Sequence, residues 1–327
     1  MGISSSPNLT KPYTEQWNLS LDEALNSKNV LTASYVGNNC RKLLYSDYYS
    51  SKSAINLDFA SGIGLTTNAG QSSYNSLQVQ DRGRLLEGLD LVGSFTYAHA
   101  LDNESNDAVG TGRYPLYGNA DNDLRRVLNV ALNYEAPGLG ANHLAHALTS
   151  GWILANRFAA QSGNPLTLIQ GTFYQNDGSE ANYYPNLVPG VPIYLHGSAA
   201  QYNNGSGQTV PAPDGWMLNP SAFSKVPLSG GVPEEQGTLG RNFLRTPAFW
   251  AWNTSMQRSF PIYEQLHMNS RVDAFNILNH PNLDVIDPIL SDTTFGTSVS
   301  QGAIGSTDAL YAMGAARSLQ LSLKLQF

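Results

Sequence analysis

The chain closes on RSLQLSLKLQF (317–327), in which Leu319, Leu321, Leu323, Leu325 and Phe327 alternate without interruption with Ser318, Gln320, Ser322, Lys324 and Gln326. Successive side chains of a β-strand point to opposite faces, so this stretch reads as a strand with one apolar and one polar face. Chain ends usually fray unless something ties them down. A terminus this regular is expected to be paired, and the strand around 264–278 is its expected neighbour.

The same period recurs upstream. EQWNLSLDEAL sets Trp17, Leu19 and Leu21 against Asn18, Ser20 and Asp22. GLDLVGSFTYAHA sets Leu89, Leu91, Phe95 and Tyr97 against Asp90, Ser94 and Thr96. RVLNVALNYEAP and EQLHMNSRVDAF repeat the pattern, and no stretch of helical period competes with them. With VLTASYVGN, SYNSLQVQDRGRL, GWILANRFAAQSG and FWAWNTSMQRSF, the count reaches about nine strands, mostly of the length that crosses a bilayer when tilted. Short connections follow residues 25, 86 and 260, and a moderate one follows Tyr134. Long Gly-, Ser-, Asn- and Tyr-rich stretches lie at 39–72, 99–124, 162–246 and 279–314. Several long loops are foreign to a compact soluble domain, whereas membrane barrels place short turns in the periplasm and long loops outside. The fold class is therefore all-β, an antiparallel transmembrane β-barrel.

Composition agrees. Only 13% of the 327 residues are charged, about half the usual share, beside 30 Gly and 17 Tyr. A net charge of −7 with no basic cluster excludes a nucleic-acid partner. A single cysteine, Cys40, excludes an internal disulfide and reads as an inert loop thiol. No apolar run reaches membrane-helix length, and the first residues carry no signal-peptide pattern.

A sandwich and a barrel both alternate, and tolerance of charge separates them. Arg or Lys facing lipid at midplane costs about 2–4 kcal/mol. In most strands the Leu-bearing face is free of charge, with Arg84, Arg157, Arg271, Asp273 and Lys324 on the other. Two residues misfit: Asp81, for which a bulge near Gly83 is expected, and Arg258, which lies near a turn and is expected to snorkel. Aromatics gather at strand ends, as an interfacial girdle requires. Counting strands back from a periplasmic C-terminus starts the first one outside. Bacterial barrels have an even strand number with both termini normally periplasmic, so the chain reads as the closing part of a barrel whose front is missing from it.

The segment GTLGRNFLRTPAFWAWNTSMQRSFPIYEQLHMNSRVDAFNILNHPNLD (237–284), followed by GAARSLQLSLKLQF (314–327), closely resembles the C-terminal end of Oar-like TonB-dependent receptors. PYTEQWNLSLDEAL, SSYNSLQVQDRGRLLEGLDLVGSFTYAHALD and GWILANRFAAQSGNPLTL resemble earlier hairpins of the same barrel, so the likeness covers nearly the whole chain. The resemblance implies that residues 1–327 form the last nine or so of about 22 strands, without the plug domain and signal peptide. It implies a bacterial outer-membrane location and a part in taking up a solute such as a siderophore or glycan. The implied partners are outer-membrane lipid, the barrel assembly machinery reading Leu323, Leu325 and Phe327, and the TonB complex, reached only through a plug. A non-transporting surface-binding or structural barrel of adhesin type is the alternative reading, and a barrel enzyme is third.

Candidate sites are few. Arg271 and Asp273, two apart on one strand face, are neighbours on the lumen wall and, with Arg157, are candidate contacts to plug or solute; a mutually satisfied lumen ion pair is the plainer reading. In the longest loop Tyr174, Tyr183, Tyr184 and Trp216 are candidate ligand contacts, while a mobile surface loop is the simpler expectation. His143 and His146 form an H-x-x-H without a third ligand, so no metal site is expected. No spacing groups Ser, His and Asp as nucleophile, base and orienter, and no phosphate loop appears. The chain reads as a non-enzyme without a cofactor.

Overall fold

The computed structural model describes residues 2–49, 63–103, 105, 117–138, 145–146, 149–174, 180–298 and 316–327. Nine strands dominate it: β1 (Tyr13–Asn26), β2 (Asn29–Tyr49), β3 (Ile63–Leu86), β4 (Leu89–Asp102), β5 (Arg126–Glu135), β6 (Trp152–Gln161), β7 (Phe249–Tyr263), β8 (Leu266–Phe275) and β9 (Ser318–Gln326). Each pairs antiparallel with its sequence neighbour, giving a meander in chain order. A short N-terminal strand, Gly2–Ser5, lies parallel to the start of β3. Among the described residues no helix is long and apolar enough to cross a membrane, and crossing is by strands.

Register fixes the two faces. Leu319, Leu321, Leu323 and Leu325 of β9 stand opposite Ala274, Val272, Ser270 and Met268 of β8, and these opposite Thr254, Met256, Arg258 and Phe260 of β7. The same face runs on through Trp252 and Phe158, Val130 and Gly93, to Leu77, Tyr35 and Leu19. Large apolar side chains on it, Leu19, Leu21 and the β9 leucines among them, are exposed, so lipid is the medium in which they are buried. The opposite face carries a polar ladder: Thr32 donates to Asp22 at 2.6 Å, Ser20 and Ser34 meet at 2.7 Å, and Arg84 pairs with Asp90 at 2.9 Å. That face is the lumen wall.

The short turns fall where expected, after β1, β3 and β7. At the β3–β4 turn Gly88 has φ +77°, and an added Cβ would lie 2.5 Å from the Glu135 carbonyl oxygen, so both conformation and space require glycine. Arg258 answers its misfit: its guanidinium lies 5.3 Å from the Trp152 ring centre and 4.7 Å from that of Phe260, a cation held in an aromatic belt at the turn end of the sheet. Asp81 does not follow its expectation. The register is continuous across it, opposite Leu31 and Gly93, and the first irregularity comes only at Arg84/Leu86. No bulge turns Asp81 away, and one carboxylate oxygen is buried without a hydrogen bond.

Two expected loops are ordered structure. Residues 39–49 and 63–72 continue β2 and β3 far beyond what a bilayer requires. Alternation hides this because the register shifts between Cys40 and Leu43 and again between Leu43 and Tyr45, with Lys42 at φ +56°. Cys40 thus lies in a strand and not in a loop, 3.3 Å from the Thr14 hydroxyl. The second is 162–246. Its described residues, 162–174 and 180–246, are not a structureless loop but a packed insert whose ladders are two or three residues long, such as Tyr194–His196 with Trp216–Leu218 and Leu166 with Leu244. Leu168, Tyr184, Leu218, Phe223, Leu239 and Leu244 form its core, completed by Leu283, Ile286 and Phe295 from the connection after β8. Ladders this short leave no periodic trace in the sequence.

Candidate functional site

On the lumen wall Arg271 and Asp273 pair with each other. The Arg271 Nε reaches both carboxylate oxygens at 2.9 Å, and Nη2 reaches Oδ1 at 2.8 Å. Alternation places them two apart on β8, where a bidentate fork fits the spacing. Asp273 faces Ser255 and Arg271 faces Gln257 on β7. Arg157 stands on the same face of β6, opposite Asn253 and Ala131, two strands from the pair and not joined to it.

Three extracellular connections meet at the end of the sheet away from the short turns. The segment GRNFLR (240–245) is the fastener. Arg241, almost fully buried, sends Nη2 to the Asp102 carboxylate at 2.7 Å and also donates to the Asp102 carbonyl, both at the end of β4. Asn242 donates to the Asn119 carbonyl at 2.9 Å and to the Asp121 carboxylate at 2.7 Å, while accepting from the Thr167 hydroxyl at 2.9 Å. Arg245 closes on the Asp123 carboxylate, which Arg125 also holds at 2.6 Å. Asp123 is fully buried, and its other oxygen accepts the Ala100 amide at 2.7 Å. The β4–β5 connection is thereby fixed to the insert by charge-assisted bonds, each with one buried member, Asp123 or Arg241, whose charge would be costly to leave unpaired.

The connection after β8 supplies the third part. Residues 286–298 fold around Asp287, whose carboxylate accepts the Thr294 hydroxyl at 2.6 Å and the Ile289 amide at 3.0 Å. Ile169 bridges Ile289, tying this connection to the insert. Gly296, at φ +74°, lies so close to Leu218 that an added Cβ would be 2.6 Å from the Leu218 Cβ. The His280 ring stacks on Trp250 with centroids 4.0 Å apart and planes 15° apart. Burial lowers its pKa, with Asp214 pulling weakly the other way.

Of the four aromatics named from the loop sequence, Tyr174 is exposed at 69%, whereas Tyr184 at 3% and Trp216 at 9% belong to the insert core. Tyr183 packs edge-on against Phe173 with centroids 5.7 Å apart. The four do not form one cluster. Leu323 and Leu325 lie on the lipid face, opposite Ser270 and Met268, and Phe327 follows the end of β9. His143 lies outside the described residues, and among the described residues no group of three or more His, Cys, Asp or Glu side chains could hold a metal ion. Sequence pattern does not single out the fasteners Arg241, Asn242, Arg245, Asp102 and Asp123. The R-N pair within GRNFLR, part of the resemblance, is their one signal.

An antiparallel meander with a lipid face, a polar face, short turns at one end and a packed cap at the other defines an outer-membrane β-barrel wall. The chain belongs to the family described as outer membrane beta barrel domain, which matches residues 2–320. Its location is the bacterial outer membrane. Among solved structures it is similar to the outer membrane transporter YddB of Escherichia coli, at 12% identity and a TM-score of 0.45, covering 97% of this chain and 33% of that one. It is also similar to BauA, the ferric preacinetobactin receptor of Acinetobacter baumannii, at 12% identity and a TM-score of 0.45, covering 96% and 29%. The FrpB iron transporter of Neisseria meningitidis gives 11% identity and a TM-score of 0.43, covering 98% and 32%. The chain thus spans about a third of the length of these structures. Among curated proteins none matches.

Proposed function

We propose that this chain is the closing part of an Oar-like TonB-dependent receptor barrel of about 22 strands, and that the intact protein takes up a solute such as a siderophore or glycan. The observation that carries the reading is the cap: three successive extracellular connections locked into one folded body at the extracellular rim of the sheet. A rigid cap of this kind suits selective capture at the mouth of a barrel, because a preordered surface loses less entropy on binding. The sequence resemblance over 237–284 and 314–327 supports the receptor type, and Arg157, Arg271 and Asp273 offer a polar track along the wall. In this reading Tyr174 is the outward ligand contact, Tyr183, Tyr184 and Trp216 hold the cap's shape, and the terminal Phe327 with Leu323 and Leu325 is read by the barrel assembly machinery. Energy from the TonB complex would arrive through a plug supplied outside residues 1–327.

The test is uptake by cells expressing the complete reading frame that contains this chain. A panel of ferric siderophores and oligosaccharides is offered with and without a functional TonB system. Uptake of one class that disappears without TonB, and in a variant lacking 165–244, supports the reading. Uptake of none, with cells still binding surfaces through the cap, favours the adhesin-type alternative.

A further inference from the structure

A cleft of about 660 Å³ opens at the extracellular rim of the sheet, on the side away from the lumen. Its floor is a row of direct cross-strand neighbours: Phe95 stands opposite Leu128, Leu128 opposite Ala160, and Ala160 opposite Trp250. Register puts this row on the same face as the β9 leucines, the face that meets lipid. The roof comes from the insert, where Tyr194 and Trp216 lie with ring centres 5.6 Å apart and His196 stands beside them. The insert therefore overhangs the outside of the wall and encloses a pocket where an ordinary barrel would present a flat surface.

Charge at the mouth is one-sided. Arg126 and Arg245 line the cleft and no Asp or Glu does, although Asp and Glu outnumber Lys and Arg in the chain by 25 to 18. Arg245 is committed to Asp123. Arg126 is exposed, and among the described residues its guanidinium has neither a carboxylate nor a hydrogen-bond partner. An apolar pocket of this size suits an alkyl chain, and an unpaired guanidinium beside it suits a phosphate. Because the opening faces the bilayer at the level of Tyr97, Trp250 and Trp252, the molecule available to it is a lipid of the outer leaflet.

We infer that this cleft binds one acyl chain of a phosphorylated outer-leaflet lipid, with the lipid phosphate on Arg126. The site lies on the opposite face from the lumen, so it stands or falls independently of solute uptake. In this geometry the lipid would wedge between the wall and the insert and hold the overhang at a fixed height above the membrane.

The test uses the chain in its native outer-membrane context, extracted in mild detergent, with folding followed by heat-dependent gel mobility. The probe is lipid A, a phosphorylated and acylated glucosamine disaccharide, offered in mixed micelles beside its dephosphorylated form and inorganic phosphate. The expected result is retention of lipid A by the wild type, reduced about tenfold in Arg126→Gln, which removes one charge-assisted contact, and largely restored in Arg126→Lys. Ala160→Trp, which fills the floor, also abolishes retention while gel mobility is unchanged. Equal retention by the wild type and all three variants would overturn the inference. So would equally tight binding of the dephosphorylated lipid, or displacement of lipid A by inorganic phosphate alone.

Discussion

Asp123 sits between two guanidinium groups with no exposure to water, holding Arg125 from its own connection and Arg245 from the insert. Replacing it with Ala leaves two cations, each still 21–28% exposed, without their shared carboxylate, so the cost falls below the about 3–5 kcal/mol of fully buried pairs. Asp123→Ala is expected to loosen the cap without unseating the wall: amide exchange quickens across 163–246, while protection of β5 and β6 is retained. His280 makes a second residue-scale prediction. Burial lowers its pKa, so the undocked ring takes up a proton before the docked one does. The Trp250 stack is therefore fully stable above the ordinary histidine value of about 6.5 and weakens as pH falls below it. Protease cleavage within 276–284 at bonds other than His280–Pro281, measured with a protease active across the pH range, should rise on acidification, and His280→Phe should remove that dependence. Loosening on raising the pH instead would contradict the assignment.

At the scale of elements, β9 offers a direct comparison of the two faces. Leu321 stands opposite Val272 on the lipid side, and its neighbour Gln320 stands opposite Asp273 on the lumen side. Leu321→Arg is expected to destabilise the folded barrel in lipid by about 2–4 kcal/mol. Gln320→Arg, which gains a carboxylate partner, should be near neutral. Equal urea midpoints for the two variants would reverse the assignment of faces. These strands are legible in the sequence itself, since alternation sustained along a whole strand leaves an unambiguous periodic trace, as in β1, β4 and β9. The upper halves of β2 and β3 are not, because two register shifts around Leu43 break the period. The insert is illegible for a different reason: its ladders are too short to alternate, and its stability comes from Leu168, Leu218 and Leu283 meeting across more than a hundred residues of chain. Of the candidate site, only the Arg271–Asp273 pair is readable, because both members lie on one strand. Arg241 with Asp102, and Arg245 with Asp123, are joined by the fold alone.

The whole molecule presents one face that only lipid can cover and two sheet ends, β1 and β9, at the limits of the paired path. Strand edges and a broad apolar face both favour self-association in water. Residues 1–327 prepared alone are expected to aggregate in plain buffer and to disperse in detergent, which light scattering checks; a monodisperse peak without detergent would contradict the lipid-face assignment.

The cap's core draws on residues from both sides of the β7–β8 hairpin, with Leu168 and Leu218 ahead of it and Leu283, Ile286 and Phe295 behind. That arrangement imposes a timetable on biogenesis. Contacts so distant along the chain form only after the intervening segment is in place. Residues 162–246 must therefore cross the membrane as an unfinished chain and complete their packing on the far side, once the next hairpin has followed and delivered the missing part of the core.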